Sequence, residues 1–392
     1  MALNPFVWDR PLDDPAKIVG MDAFAHQVAM RLKGQTNVAL FGPRDTGKTT
    51  FTHQLALELG KDHGHDAPPF VVIRINLQRV LSVPAFASCV HDALVNHPAK
   101  SIRRAAQKHF AVLEKEIGFD IKVLRGAVRR TGVTREQDAE ALHAELASIR
   151  GLGDNIVVIF DEFQRLNRCP GNPLSIIRSA LMSSGANHVS LLLTGSIREA
   201  LRMMLEQSEE PIFGEAVQMQ LPAINPVDFV EYLEFNFAAT RKPATEEALG
   251  HLVRITESHP KRTQQLAWEV WEDRRAAREP IEADLVEDVY DRVLGTTEST
   301  EFGAVFDMLA NGDESETNEL RALNLLADRG GATVASRDLA TRYGFTSHTM
   351  VQGALQRLRR RGLVEQRGKV WAVVDPFLAG WLRRQSPFAA TE

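Results

Sequence analysis

Asn37-Val38-Ala39-Leu40-Phe41-Gly42-Pro43-Arg44-Asp45-Thr46-Gly47-Lys48-Thr49 is the stretch around which the rest of the chain is organised. It opens with apolar residues long enough for a buried strand and continues into a pattern that reads G-x-x-x-x-G-K-[ST], the P-loop. A helix is predicted over 48–58. The glycines let successive backbone N–H groups turn inward around phosphates, and the following helix directs its positive end at them. In that pattern Lys48 reaches the β- and γ-phosphates and the Thr49 hydroxyl ligates Mg²⁺. Residues 42–50, namely Gly42, Pro43, Arg44, Asp45, Thr46, Gly47, Lys48, Thr49 and Thr50, are therefore the candidate nucleotide-binding loop, and ATP with Mg²⁺ is the cofactor it implies.

Working outward, three more apolar runs read as strands: 70–75, 155–160 and 189–194. The last two are continuously apolar, as strands buried on both faces of a parallel sheet are. A helix is predicted over 22–32, and 80–150 reads as a mostly helical, charged insertion. In its middle crowd Lys100, Arg103, Arg104, Lys108, Lys122, Arg125, Arg129 and Arg130. Strands alternating with helices predict a three-layer α/β core over 1–222. The strand Val157-Val158-Ile159-Phe160 runs into Asp161-Glu162. Two carboxylates at a buried strand end are costly without a cation partner. Asp161 is the candidate Mg²⁺ holder and Glu162 the candidate general base on the attacking water. The last strand closes Leu193-Thr194-Gly195-Ser196, so Thr194 and Ser196 are both candidates to sense the γ-phosphate, the other capping the next helix. Arg198 reads as a solvated cation.

Residues 223–297 read as a helical lid without strands, and 298–315 as a connector. Within the lid, His259-Pro260-Lys261-Arg262 opens a helix. Arg262 sits in a first turn that opposes the macrodipole, which makes it a candidate second sensor. The C-terminal module, 316–392, reads as helices over 319–328, 336–343 and 347–361, then strands over 363–365 and 370–374. Ser336 and Ser347 are the expected N-caps; Gly330, Gly344 and Gly362 are the expected C-caps. Three helices and a hairpin predict a winged helix. Residues 320–392 carry twelve Lys/Arg against five Asp/Glu, net +7. On its third helix Ser347, His348, Thr349 and Gln352 are placed for base edges, and Arg357, Arg359, Arg360 and Arg361, with Lys369 at the wing tip, for phosphates. Two readings stand: contact with double-stranded DNA, or docking to a protein partner. Self-association is compatible with either.

Composition narrows the class. The 392 residues carry net charge −5, so no global basic field marks the chain. Two cysteines, Cys89 and Cys169, are too few for a disulfide framework and too far apart for a metal knuckle. A reducing, cytoplasmic setting is expected. No apolar run approaches the roughly 18 residues that would cross a bilayer. The ligand-type residues in 61–66 read as a polar loop.

With these residues assembled, the chain resembles the STAND-branch P-loop ATPases known as the archaeal ATPase family, distant relatives of the origin-recognition AAA+ proteins. The resemblance rests on Phe41-Gly42-Pro43-Arg44 with Thr46-Gly47-Lys48-Thr49, on Phe160-Asp161-Glu162, on Thr194-Gly195-Ser196 and on His259-Pro260 with Gln264. Asp375-Pro376-Phe377 and Trp381-Leu382-Arg383 resemble the strand-to-helix close of that family's winged helix. It implies a RecA-like core, a helical lid and a winged helix. The function expected is an ATP-driven switch, with ATP and Mg²⁺ between core and lid and the winged helix reporting to DNA. The alternative is a slowly hydrolysing regulatory protein whose winged helix docks a protein partner. Two departures stand out: Met21 follows Val19-Gly20 where the family often has arginine, and Glu215 follows Gly214 where an arginine commonly stands.

Overall fold

A computed structural model describes residues 3–12, 14, 17–60, 70–117, 135–153, 155–182, 188–196, 216–277, 279–296, 299–330 and 337–385. The sequence readings at 61–66, Lys122, Arg125, Arg129, Arg130, Arg198, Gly214, Glu215 and Ser336 lie outside them. The chain divides into two compact units. One, the sheet unit, comprises Met21–Gly42 and Lys48–Pro222; the other, the helical unit, comprises Met1–Gly20, Pro43–Gly47 and Ala223–Glu392.

The sheet unit runs α1 (Asp22–Lys33), β1 (Val38–Phe41), α2 (Lys48–Gly60), β2 (Val71–Asn76), α3 (Val83–Val95), α4 (Lys100–Ile117), α5 (Arg135–Ile149), β3 (Asn155–Asp161), α6 (Pro173–Leu181), β4 (His188–Gly195) and β5 (Val217–Gln220). The strands form one sheet in the order β2-β3-β4-β1-β5, with every pair parallel. β1 and β3 are buried almost end to end, which matches their unbroken Val/Ile/Leu/Phe runs. β5 was not among the expected strands. It alternates half-buried Val217 and Met219 with exposed Gln218 and Gln220, and it is the edge strand beside β1. Register places Phe41 opposite Gly195 and Asn76 opposite Asp161. The carboxyl ends of β1, β3 and β4 therefore converge, the edge at which open α/β sheets place their ligands. In the insertion, α3, α4 and α5 bury Phe86, Val90, Ile102, Phe110, Leu142 and Leu146 in the same core as the sheet.

The helical unit holds α7 (Pro226–Ala239), α8 (Glu246–Ile255), α9 (Pro260–Glu272), α10 (Ala283–Thr296), α11 (Ser299–Ala310), α12 (Glu314–Arg329), α13 (Arg337–Arg342), α14 (His348–Arg361), the antiparallel hairpin β6 (Val364–Arg367) and β7 (Val370–Val373), and α15 (Pro376–Gln385). At α14 the caps are the expected ones, while α12 begins at Glu314, five residues before the expected start at 319. Ser347 accepts from Met350 N at the start of α14, and Gly362 ends it at φ 77°. Asp313 and Glu316 form a capping box on α12. The stretch expected as a connector contains α11, whose Phe302 and Phe306 meet the Trp381 ring. Among the described residues no helix is long and apolar enough to cross a membrane.

Candidate functional site

In the sheet unit, five of the sequence-predicted side chains form one cluster: the adjacent carboxylates of Asp161 and Glu162 and the hydroxyls of Thr49, Thr194 and Ser196. Thr49 Oγ1, one residue into α2, donates to Asp161 Oδ2 at 2.8 Å. Thr194 Oγ1, near the end of β4, donates to Asp161 Oδ1. Ser196 Oγ donates to Glu162 Oε1 at 2.6 Å. Both sensor candidates are thus hydrogen-bonded to the carboxylate pair. Lys48 is buried at the start of α2 and its Nζ donates to Gly42 O at 2.9 Å. A sixth residue was not foreseen: Gln164 Nε2 donates to Glu162 Oε2 at 2.6 Å. Its only sequence signal is an amide two residues past Glu162, in a 3-10 turn (Phe163–Arg168) otherwise anchored by buried Phe163 and Leu166. Glu162 itself is left-handed, φ 60°.

Pro43–Gly47 clusters with the helical unit. Asp45 and Gly47 have positive φ, 61° and 87°, the kind of backbone that turns successive N–H groups inward. Thr46 Oγ1 closes the turn on Pro43 O at 2.8 Å. Arg44 and Asp45 are exposed, and Lys261 Nζ lies 3.1 Å from Asp45 Oδ2. Among the described residues no cluster of three or more His, Cys, Asp or Glu side chains is poised for a metal. The Thr49 hydroxyl against Asp161 is instead a sparse, all-oxygen donor set. It suits Mg²⁺, which keeps several waters and takes one or two protein oxygens.

Arg262 lies at the start of α9, where His259 caps the helix. Its guanidinium, 1% exposed, is fully engaged within the helical unit. Nε donates to both Asp375 oxygens at 3.0 Å, Nη2 to Asp375 Oδ2 at 2.6 Å, and Nη1 to Gln265 Oε1 at 2.7 Å. The rings of Phe377 and Phe302 lie 5.0 and 5.4 Å from its Cζ. Asp375 Oδ1 also accepts from Phe377 N and Leu378 N, capping α15. Burial would raise the Asp375 carboxyl, but the fork from Arg262 and the neighbouring charges reverse this and hold it below the usual carboxylate range. Burial pushes His259 down to about 4, so it is neutral. The candidate second sensor is thus tied to Asp375.

On α14, Thr349 is exposed and Gln352 half-buried. The arginines divide. Arg357 Nε donates to Glu319 Oε1 at 2.9 Å and Nη2 to Ser315 O. Arg361 pairs with Glu316 at 3.2 Å and with Glu319 at 2.8 Å. Both are engaged by the acidic start of α12. Counted over 313–384 the module carries twelve Lys/Arg against eight Asp/Glu, net +4, because a boundary at 320 leaves out the acids that face those arginines. Exposed Arg360, half-buried Arg359 and exposed Lys369 remain outward.

Residues 313–384 match the family model of a probable winged helix domain. No curated protein sequence matches the chain. Among solved structures it is similar to the Walker-type ATPase of Pyrococcus abyssi, with TM-score 0.64 and 16% identity, covering 96% of this chain and 99% of that one. It is also similar to the ORC2 protein of Aeropyrum pernix in its ADPNP–ADP complexes, with TM-score 0.58 and 16% identity over 98% and 100%. The fold is that of the P-loop ATPases of the Walker-type and origin-recognition kind: a parallel α/β core, further helices and a C-terminal winged helix. This agrees with the resemblance carried by the sequence motifs.

Proposed function

We propose that this chain binds ATP with Mg²⁺, hydrolyses the anhydride bond to the γ-phosphate, and uses nucleotide state to set a winged helix that contacts double-stranded DNA. One observation carries the nucleotide reading: Thr49 and Asp161, 112 residues apart, meet at 2.8 Å beside a buried Lys48. No structural need of a parallel sheet calls for a buried carboxylate there, whereas a P-loop magnesium site does. In this reading the N–H groups of 42–50 and the Lys48 ammonium hold the phosphates. Thr49 and Asp161 hold Mg²⁺, directly and through water, and when bound the ion offsets charge on the phosphate oxygens. Glu162 takes the proton of the attacking water, while Thr194 and Ser196 orient the carboxylate pair. Titration calorimetry with MgATP tests it. Lys48→Ala removes the cation on the phosphates and should lower affinity at least tenfold; unchanged affinity would overturn the site.

The inward pairing of Arg357 and Arg361 gives the second reading its observation. With half of the α14 arginine cluster engaged internally, the winged helix is also suited to docking a protein partner. Mobility shifts of duplex DNA, with and without ATP, separate the two.

A further inference from the structure

A line of exposed cations lies on α4, in the insertion, and the proposed nucleotide chemistry makes no use of it. α4 turns Ile102, Ala106 and Phe110 into the core of the sheet unit. Lys100, Arg104 and Lys108 stand on the opposite side, all exposed, each four residues from the next. At 1.5 Å per residue the three ammonium and guanidinium groups rise in steps of about 6 Å over about 12 Å. None of the three forms an ion pair among the described residues. No aspartate or glutamate occurs between Asp92 and Glu114. Arg103, on the same helix, is different: its guanidinium donates to His97 O and Pro98 O and closes the preceding turn.

Folding does not explain the stripe. Cations in the first turn of a helix oppose its positive end, costing about 0.3–1 kcal/mol each. Like charges four apart repel by a further few tenths of a kcal/mol. The first turn of α4 contains no acid that would offset this. Its neighbours on the exposed side are Ser101, Ala105 and Gln107, which offer small side chains and hydrogen-bond donors. Among the described residues no large apolar side chain is exposed on α4. Among the described residues of this face, 100–108, there is no aromatic or aliphatic anchor of the kind a protein interface centres on and no apolar edge of the kind a membrane-lying helix needs. A regular line of unpaired cations with small polar neighbours fits a chain of phosphates.

We propose that α4 is a second, sequence-independent DNA-binding surface, on which Lys100, Arg104 and Lys108 contact the phosphates of duplex DNA. The proposal rests on the reading that this chain is a DNA-associated ATPase. It adds a surface in the sheet unit to the one expected on the winged helix. With no base-reading groups beyond Gln107 and Ser101, α4 should contribute affinity and salt dependence, and no sequence preference.

The test is fluorescence anisotropy of the full chain on a labelled 30-bp duplex between 50 and 200 mM salt. Each phosphate contact contributes a slope of about 0.9 in log K against log salt, or about 3.5-fold in affinity across that range. Lys100→Ala/Arg104→Ala/Lys108→Ala should therefore flatten the slope by two to three units and weaken all duplexes alike. Alanine at exposed helix positions leaves the melting temperature in place. Lys100→Arg/Lys108→Arg should retain the wild-type slope. Arg359→Ala/Arg360→Ala is run in parallel to read the winged helix, with an expected loss of up to about two units. A triple variant with wild-type slope, while the winged-helix variant loses slope, overturns the α4 surface and leaves the winged-helix reading standing. The converse result supports α4 and removes the winged helix from DNA. Wild-type protein that fails to bind the duplex at 50 mM overturns both, and binding only to phosphatidylserine vesicles would assign the stripe to a lipid surface instead.

Discussion

Arg262 gives the sharpest test of what the helical unit is built around. Its charge is 1% exposed and its neutralising partner, Asp375, lies 113 residues further along the chain. Breaking a buried pair by removing one partner costs about 3–5 kcal/mol, because the other charge stays in place without compensation. Asp375→Asn keeps the cap on α15, since asparagine caps as well as aspartate. It leaves the Arg262 charge buried and unpaired, so about 4 kcal/mol is expected. Arg262→Ala should cost about 3 kcal/mol, somewhat less because the Asp375 side chain is 23% exposed and still receives two backbone N–H groups. Arg262→Met/Asp375→Asn leaves no buried charge, fills the space between Phe302 and Phe377 with an apolar chain, and should cost only about 1–2 kcal/mol. The cycle should then show a coupling of at least 2 kcal/mol. All five tryptophans, Trp8, Trp268, Trp271, Trp371 and Trp381, belong to the helical unit. Urea denaturation followed by tryptophan fluorescence therefore reads that unit alone. Singles within 1 kcal/mol of wild type, or strictly additive singles, would refute the account. MgATP affinity of the double variant decides the sensor question: unchanged affinity makes Arg262 a structural tie, and a tenfold loss in a folded protein returns it to the nucleotide.

Other expectations follow from the carboxylate cluster and the core. Glu162→Gln should bind MgATP normally and hydrolyse it 10²–10⁴-fold more slowly in steady-state phosphate release; wild-type turnover would mean that another group takes the proton. Asp161→Asn should raise the Mg²⁺ concentration needed for half-maximal turnover, a shift Glu162→Gln should not show. Gln164→Leu should lower kcat roughly tenfold with KM for ATP unchanged, since a misplaced base loses rate and not binding; Gln164→Leu placed on Glu162→Gln should then add nothing. Glu145 on α5 is 4% exposed, and burial, helped by the negative charge of Asp92, raises its carboxyl to about 8. The folded sheet unit keeps a proton there that the unfolded chain releases, so burial of Glu145 costs nothing below about pH 4.5, and its contribution makes stability fall as pH rises from there towards 8. At about 1.4 kcal/mol per unit the loss is of the order of a few kcal/mol. Glu145→Gln should flatten that dependence and raise the melting temperature at pH 8; a parallel pH dependence in the variant would show that Glu145 is not its source.

Much of this architecture is local, and what is local is legible. β1 and β3 announce themselves as unbroken apolar runs and β4 as one interrupted only by Ser190. Both ends of α14 follow from Ser347 and Gly362 and the close of α12 from Gly330, whereas the start of α12 at Glu314, capped by Asp313, lies five residues before the expected helix. β5 escapes because an edge strand with one wet face needs only Val217 and Met219 to be apolar, too few to distinguish from a loop. α11 hides in a polar neighbourhood, although Phe302, Phe306 and Leu309 carry a helical spacing. The site shows the same division. Lys48, Thr49, Asp161 and Glu162 sit in motifs whose spacing states their chemistry. Gln164 sits in none. The pairings Arg262 with Asp375 and Arg357 with Glu319 join residues 113 and 38 apart, and only the tertiary fold brings them together. Charge counted along the chain therefore overstated the basic face of the winged helix: the acids that neutralise it lie just before the boundary chosen for the count.

The left-handed backbone at Glu162 ties these threads to the chemistry. Side chains of consecutive strand residues point to opposite faces, so if β3 simply continued, Asp161 and Glu162 would diverge. Thr194 and Ser196, two apart near the end of β4, would share one face of an extended strand. Yet Thr194 holds Asp161 and Ser196 holds Glu162. Both contacts require the chain to change hand between the two acids, and φ 60° at Glu162 is that change. A left-handed conformation costs a non-glycine residue about 1–2 kcal/mol. Hydrogen bonds to an ionised carboxylate contribute about 1.5–3 kcal/mol each, so the two from Ser196 and Gln164 are enough to hold it. Glycine at 162 would adopt the same turn more easily and would lose the carboxylate for which the turn exists. The strained residue and the proposed base are one and the same, and its hold depends on one donor just past the end of the neighbouring strand and one from its own turn.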